Sequence, residues 1–283
     1  MADRSTAPDT FRCNRPAALF FDVDGTLVDS KNSIESDGDL TECGPSPAIV
    51  DAFRRMRDRG HKTFICTGRT LNLVPASLYE LGSTGIISGA GATVSIDDEI
   101  RFRKQIPVEV VREAMSRLRS AGVEFILEGD AVCVAIMNYG ATYTAIKGIL
   151  TAHSWEELSG LVPDLGFAKL TLSNEHVSLL KREGDFFFEY FDSADLGMGI
   201  TELTMRGVTK GTGIRHALEL LGPGRWLTFG FGDSENDLPM LDEVDIPVAM
   251  GNALTSVRDR SMFVTVPVEE DGVVVALERF GLI

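Results

Sequence analysis

The sequence has only four cysteines in 283 residues: Cys13, Cys43, Cys66 and Cys133. None forms a C-x-x-C pair, and their spacing fits no zinc pattern. They read as free thiols of a reducing, cytoplasmic compartment. No window approaches 18 uninterrupted apolar residues, so nothing reads as a membrane-spanning helix. Met1 to Pro16 lack the apolar stretch of a signal peptide, and residues 1–15 are expected to form a flexible tail. Basic residues are scarce too: 27 Lys and Arg stand against 42 Asp and Glu, a net charge of −15. Lys and Arg supply most binding to a phosphate backbone, so nucleic acid and anionic membranes are excluded as expected partners. An acidic surface will not steer a phosphate ester inward either, so such a substrate would need local positive groups and a metal. What is present is material for a core: 44% of residues are hydrophobic, enough for one large or two modest domains.

The pattern along the chain divides it. Ala17 to Phe21 is a short apolar run that reads as a buried parallel strand. Residues 29–44 are polar and read as a loop. Ile49, Val50, Phe53 and Met56 recur at helical spacing over 47–59, and Gly60 stops that helix. A strand over 62–66, a helix over 70–81 and a strand over 85–88 complete a β–α–β–α–β rhythm, the mark of a parallel sheet with crossover helices. The rhythm resumes with a helix over 210–221 and strands at 226–230, 246–250 and 263–266. Between these stretches the texture changes. A helix over 108–121 is followed by 123–127 and 131–136, which flank Glu128-Gly129-Asp130 as a hairpin. A helix at 141–150, a strand at 167–172 and a helix at 174–184 are expected next. The fold class is therefore α/β: a Rossmann-like parallel-sheet core over 1–87 and 206–283, with an α+β domain inserted at 88–205.

Two acid clusters carry the chemistry. In Phe20-Phe21-Asp22-Val23-Asp24-Gly25-Thr26, two acids leave an apolar strand two residues apart and so point the same way. They would aim beyond the carboxyl edge of the sheet, where open α/β sheets bind ligands. An EF-hand loop started at Asp22 or Asp24 fails its later positions. The second cluster, Gly232-Asp233-Ser234-Glu235-Asn236-Asp237, also follows an apolar strand. Carboxylates converging from two strand ends suit Mg²⁺. Thr67-Gly68 at a strand exit offers a hydroxyl and backbone N–H groups to a phosphoryl oxygen. Lys210 opens a helix, where the dipole gives an ammonium nothing; neutralising a phosphate would explain it. Each feature has a plainer reading alone: an Asx-turn at Asp24, acids at a helix N-terminus, a turn threonine, a solvated lysine.

In order along the chain, D-x-D-G-T, a strand-end Thr, a Lys and G-D-x-x-x-D resemble the four motifs of the haloacid dehalogenase superfamily of phosphatases. Thr67-Gly68-Arg69, Ser88 to Ala92, Thr209 to Gly211, Gly232 to Met240, Ala249 to Ala253 and Asp271 to Val273 resemble its Cof-like branch, which carries a type IIB cap. One departure is Ala90, where that branch commonly has Asn. The resemblance implies a cytoplasmic Mg²⁺-dependent phosphohydrolase acting on a small phosphorylated metabolite, with phosphosugars favoured. It implies Asp22 as nucleophile, Asp24 as acid and base, and Thr67, Gly68, Arg69 and Lys210 on the phosphate. Mg²⁺ would sit on Asp22, Asp233 and the backbone carbonyl of Asp24, with Asn236 and Asp237 in support. A phosphomutase, a nucleotide phosphatase or a non-catalytic Mg²⁺-binding protein are the alternatives, and oligomeric state is not legible.

Overall fold

The computed structural model describes residues 11–29, 44–182, 186–196 and 199–283. Most of the expected tail, nearly all of the polar loop at 29–44, and Cys43 lie outside the described residues. Two compact units emerge. One comprises 1–69, 73–102 and 209–283; the other comprises 70–72 and 103–208.

The first unit is built on an eight-stranded sheet in the order β14-β13-β12-β1-β2-β3-β4-β5. Its strands are β1 (Ala17–Phe21), β2 (Lys62–Cys66), β3 (Gly85–Ser88), β4 (Thr93–Ile96), β5 (Glu99–Arg103), β12 (Leu227–Gly232), β13 (Ile246–Ala249) and β14 (Phe263–Val264). β1 is central, parallel to both β2 and β12, and all five of its residues are buried. That explains its unbroken apolar run, since a strand covered on both faces has no polar side to show. Phe21 stacks on Phe231 at 4.7 Å between ring centroids and Phe20 on Phe64 at 5.2 Å. Helix α1 (Pro47–Asp58) starts at Ser46, whose hydroxyl accepts from the Ile49 N–H, and buries Ile49, Ala52, Phe53 and Met56.

The expected boundary at 88 is corrected. β4 turns back antiparallel on β3 and β5 follows it, so the core sheet runs on to the end of β5 and the two compact units divide between Phe102 and Arg103. The turn between them is made by Asp97 and Asp98, both at positive φ (51° and 61°), a conformation that Asp tolerates better than most residues. The expected helix over 70–81 is also broken. Pro75 separates a 3₁₀ turn at Leu71–Leu73 from a four-residue helix at Ala76–Tyr79, because proline disfavours helical geometry in the residue before it.

The inserted unit has a six-stranded sheet in the order β10-β11-β9-β6-β7-β8. The strands are β6 (Phe125–Glu128), β7 (Cys133–Ile136), β8 (Leu150–Ala152), β9 (Lys169–Ser173), β10 (Phe191–Asp195) and β11 (Ile200–Met205). Helix α2 (Val108–Ser120) buries Val111, Ala114 and Leu118 in a cluster with Phe125, Leu127, Phe167, Leu170 and Phe187. Strand alternation turns Glu128, Lys169 and Glu202 to the opposite face. There the Lys169 Nζ lies 2.5 Å from Glu202 and 3.2 Å from Glu128. The expected helix at 141–150 is absent. Gly140 and Gly148 take positive φ, and the chain after them pairs with β7 as β8. Among the described residues, no helix is long and apolar enough to cross a membrane.

Candidate active site

The three central strands β12, β1 and β2 end side by side, and each is followed at once by a site residue: Asp233, Asp22 and Thr67. All three side chains are buried. Parallel neighbours deliver their exits to one edge, which is why motifs far apart in sequence meet. Helix α3 (Lys210–Leu220) begins with a capping box at Thr209 and brings in Lys210, only 1% exposed. Its Nζ donates to Asp22 Oδ1 at 2.5 Å and to Asp237 Oδ1 at 2.6 Å. The other oxygen of Asp237 accepts the backbone N–H groups of Asp233 (2.9 Å) and Ser234 (3.1 Å). Asp237 therefore fixes both the lysine and the turn that presents Asp233.

Carboxylate oxygens of Asp22, Asp233 and Asp237 all lie within 4.8 Å of one another. Three carboxylates gather where desolvation is expensive, and Lys210 pairs with two of them, Asp22 and Asp237. Burial, then Asp237, push the Asp22 carboxyl well above the usual range, against the pull of Lys210. Burial alone would lower Lys210, but attraction to Asp22 and Asp237 outweighs it and raises it well above the ordinary lysine value. Oxygen donors of this charge and spacing fit a hard divalent ion that keeps some of its positions for water and phosphate.

Two glycines have a steric reason. At Gly25, with φ of 87°, a Cβ would overlap the Asp233 carboxylate, and at Gly232 it would overlap the Asp237 carboxylate. The Gly25 backbone thus runs directly against the acid cluster. Asp24 is different from Asp22, since its side chain is 40% exposed. Arg69 holds it from two sides, with Nε 3.1 Å from Oδ2 and the terminal nitrogen 2.7 Å from Oδ1. Arg69, expected on the phosphate, is turned to Asp24 here, and its own backbone N–H donates to the Thr67 hydroxyl at 3.1 Å. Asn236, expected in support of the metal, instead accepts from Ser234 Oγ at 2.8 Å. Burial pushes the nearby Cys66 thiol up, keeping it protonated and inert. Asn252 was not expected at the site. Its Nδ2 donates to the Gly25 carbonyl at 2.9 Å and lies 3.4 Å from Asp233. The signal was its place in the run Ala249 to Ala253.

Residues 19–277 match the haloacid dehalogenase-like hydrolases, and the chain belongs to that family. It is similar to phosphoglycolate phosphatase of Methanothermobacter thermautotrophicus, 26% identical over 266 residues that cover 93% of this chain and 98% of the relative. It is also similar to the 5-amino-6-(5-phospho-D-ribitylamino)uracil phosphatase YitU of Bacillus subtilis, 24% identical over 94% of this chain and 98% of YitU. Among solved structures, the HAD subclass IIB sugar phosphatase BT4131 superposes with a TM-score of 0.74 at 27% identity, covering 94% of this chain and all of the other. The chain is a Cof-like phosphatase with an α/β core of this family.

Proposed function

We propose that this phosphatase hydrolyses a small phosphorylated metabolite, a phosphosugar by preference, with Mg²⁺ and an aspartyl-phosphate on Asp22. The observation that carries the reading is the buried cluster of Asp22, Asp233 and Asp237, in which Lys210 pairs with Asp22 and Asp237. Asp22, Asp233 and the carbonyl of Asp24 would hold the ion, which supplies charge neutralisation when bound. The relatives named for phosphoglycolate, a phosphoribitylamino compound and sugar phosphates support a small phosphomonoester.

The chain's own residues divide the work. An Asp22 oxygen attacks phosphorus, the bond from phosphorus to the leaving oxygen breaks, and that oxygen takes a proton from Asp24. Asp24 then removes a proton from water as the water attacks the same phosphorus. The bond to Asp22 breaks, inorganic phosphate departs, and both carboxyls return to their starting states. Thr67, Gly68 and Lys210 face the phosphoryl oxygens. Arg69 pairs with Asp24 through two nitrogens and so orients it. The test is turnover of a phosphomonoester panel with and without Mg²⁺, for the native chain and Asp22→Asn. Activity is expected only in the native chain with metal. Undiminished turnover by Asp22→Asn, or by the native chain in excess chelator, would refute the mechanism.

A further inference from the structure

The run Ala249 to Ala253 marks the family resemblance but has no part in the phosphoryl chemistry above. We infer that Asn252 within it is a positioning residue for the metal site, holding the Gly25 loop and Asp233 at a fixed spacing. The inference rests on the Mg²⁺ reading just proposed.

The Asn252 amide stands between two acceptors. Its Nδ2 donates to the Gly25 carbonyl at 2.9 Å and lies 3.4 Å from Asp233 Oδ2. Its Oδ1 accepts from the Val268 N–H at 3.0 Å, which fixes the orientation of the amide. Without the donor, the Gly25 carbonyl loses this partner beside the Asp233 carboxylate, in a place so close that a Cβ on Gly25 would overlap that carboxylate.

The backbone makes the placement stiff. The Met250 N–H donates to the Gly232 carbonyl at 3.0 Å and the Leu254 N–H to the Asp233 carbonyl at 2.9 Å. Gly251 donates to Val266 at 3.1 Å, and a Cβ there would overlap Pro267. The loop that carries Asn252 is therefore anchored on the same residue, Asp233, whose carboxylate its side chain approaches. Gly25 is one peptide from the Asp24 carbonyl. Asn252 thus ties together the two segments that would supply the metal's oxygen donors. Groups that orient metal ligands from outside are worth about 10–100-fold in affinity.

The experiment is calorimetric titration of Mg²⁺ into the full chain without substrate, with Tm recorded in parallel. Asn252→Ala removes the amide, and Asn252→Leu removes it while keeping the volume. Ser46→Ala is the control. It breaks a different tie to the neighbouring loop, the 2.5 Å bond from Ser46 Oγ to Asp271, and should lower Tm while leaving Mg²⁺ affinity unchanged. Both Asn252 variants are expected to bind Mg²⁺ about tenfold more weakly, with kcat at saturating Mg²⁺ changed far less than the half-saturating Mg²⁺ concentration. Native Mg²⁺ affinity in either variant would overturn the inference, whatever happens to Tm. So would failure of both to fold, which would make Asn252 a structural tie. A native chain that binds no Mg²⁺ would bring down the metal reading itself, and is distinguishable because the variants would then have nothing to lose.

Discussion

Asp22 and Asp24 are two residues apart and live in different surroundings. Asp22 is buried against Lys210, whereas Asp24 is partly exposed and gripped by Arg69. The difference separates their roles. Asp24→Asn leaves the backbone carbonyl in place and removes a carboxyl that must both give and take a proton, so kcat is expected to fall about 10²–10⁴-fold while Mg²⁺ affinity is kept. Stopped-flow turnover beside calorimetry would check this, and lost affinity with unchanged kcat would contradict it. A second residue-scale expectation concerns the inserted unit. Lys169→Met strands Glu128 and Glu202 without their shared ammonium, and breaking a buried pair in this way costs about 3–5 kcal/mol. Urea unfolding would measure it. The acids, Thr67 and Lys210 were legible because each follows a strand or opens a helix, and strand exits in a parallel sheet converge. The grip of Arg69 on Asp24 and the position of Asn252 were not. Both depend on side chains crossing between loops, which no periodicity records.

At the scale of elements, His61 just before β2 ties three segments together. Its Nδ1 accepts from the Ala17 N–H at 3.0 Å, and the ring also interacts with the Leu282 backbone. The ring is buried, at 7% exposed. Burial lowers its pKa, aided by the nearby Arg59. A proton on Nδ1 would point at the Ala17 N–H, so the neutral form belongs to the fold. Between the lowered folded value and about 6.5 for the unfolded chain, the unfolded chain binds more protons, and stability rises with pH. The contribution is present above about 6.5 and lost as pH falls through the folded value. Chemical denaturation from pH 8 to 5.5 should show this slope, and the difference between the native chain and His61→Gln, in which other titrations cancel, isolates it. A pH-independent difference would mean His61 does not titrate in this range. The same scale shows what pattern alone missed. The sequence rhythm yields the central strands and α1, since a buried strand is uniformly apolar and an amphipathic helix repeats. β4 and β5 are short, and β5 is largely exposed, so nothing in their composition separates them from an inserted domain. Of the consecutive Phe186, Phe187 and Phe188, Phe187 is buried but Phe188 is 38% exposed, because a short helix can bury only one side of three consecutive residues.

For the whole molecule, the question is what chooses the substrate. The net charge of −15 repels every phosphate ester alike, so long-range electrostatics cannot rank them. On the reading proposed above, Asp22, Asp24, Thr67 and Asp233 at the strand ends, with Lys210 at the start of α3, address a phosphoryl group that all candidate substrates share. Uniform contacts of that kind raise the rate without discriminating between leaving groups. The relatives make the same point. Chains alignable over almost their whole length carry names for phosphoglycolate and for a phosphoribitylamino compound. The segment 103–208 is an independent compact unit with its own apolar cluster, and it is the large part of the chain that contributes none of those groups. Its sheet also carries the buried, paired Glu128, Lys169 and Glu202 on the face away from that cluster. We expect substrate ranking to travel with this unit. A chimera that keeps 1–102 and 209–283 but takes the corresponding insertion from the sugar phosphatase BT4131 should retain Mg²⁺ binding and Asp22-dependent turnover. Its order of kcat/KM across a phosphomonoester panel should become that of the donor. If the order stays that of the native chain, discrimination resides among the strand-end loops, and the 103–208 unit serves folding or access instead.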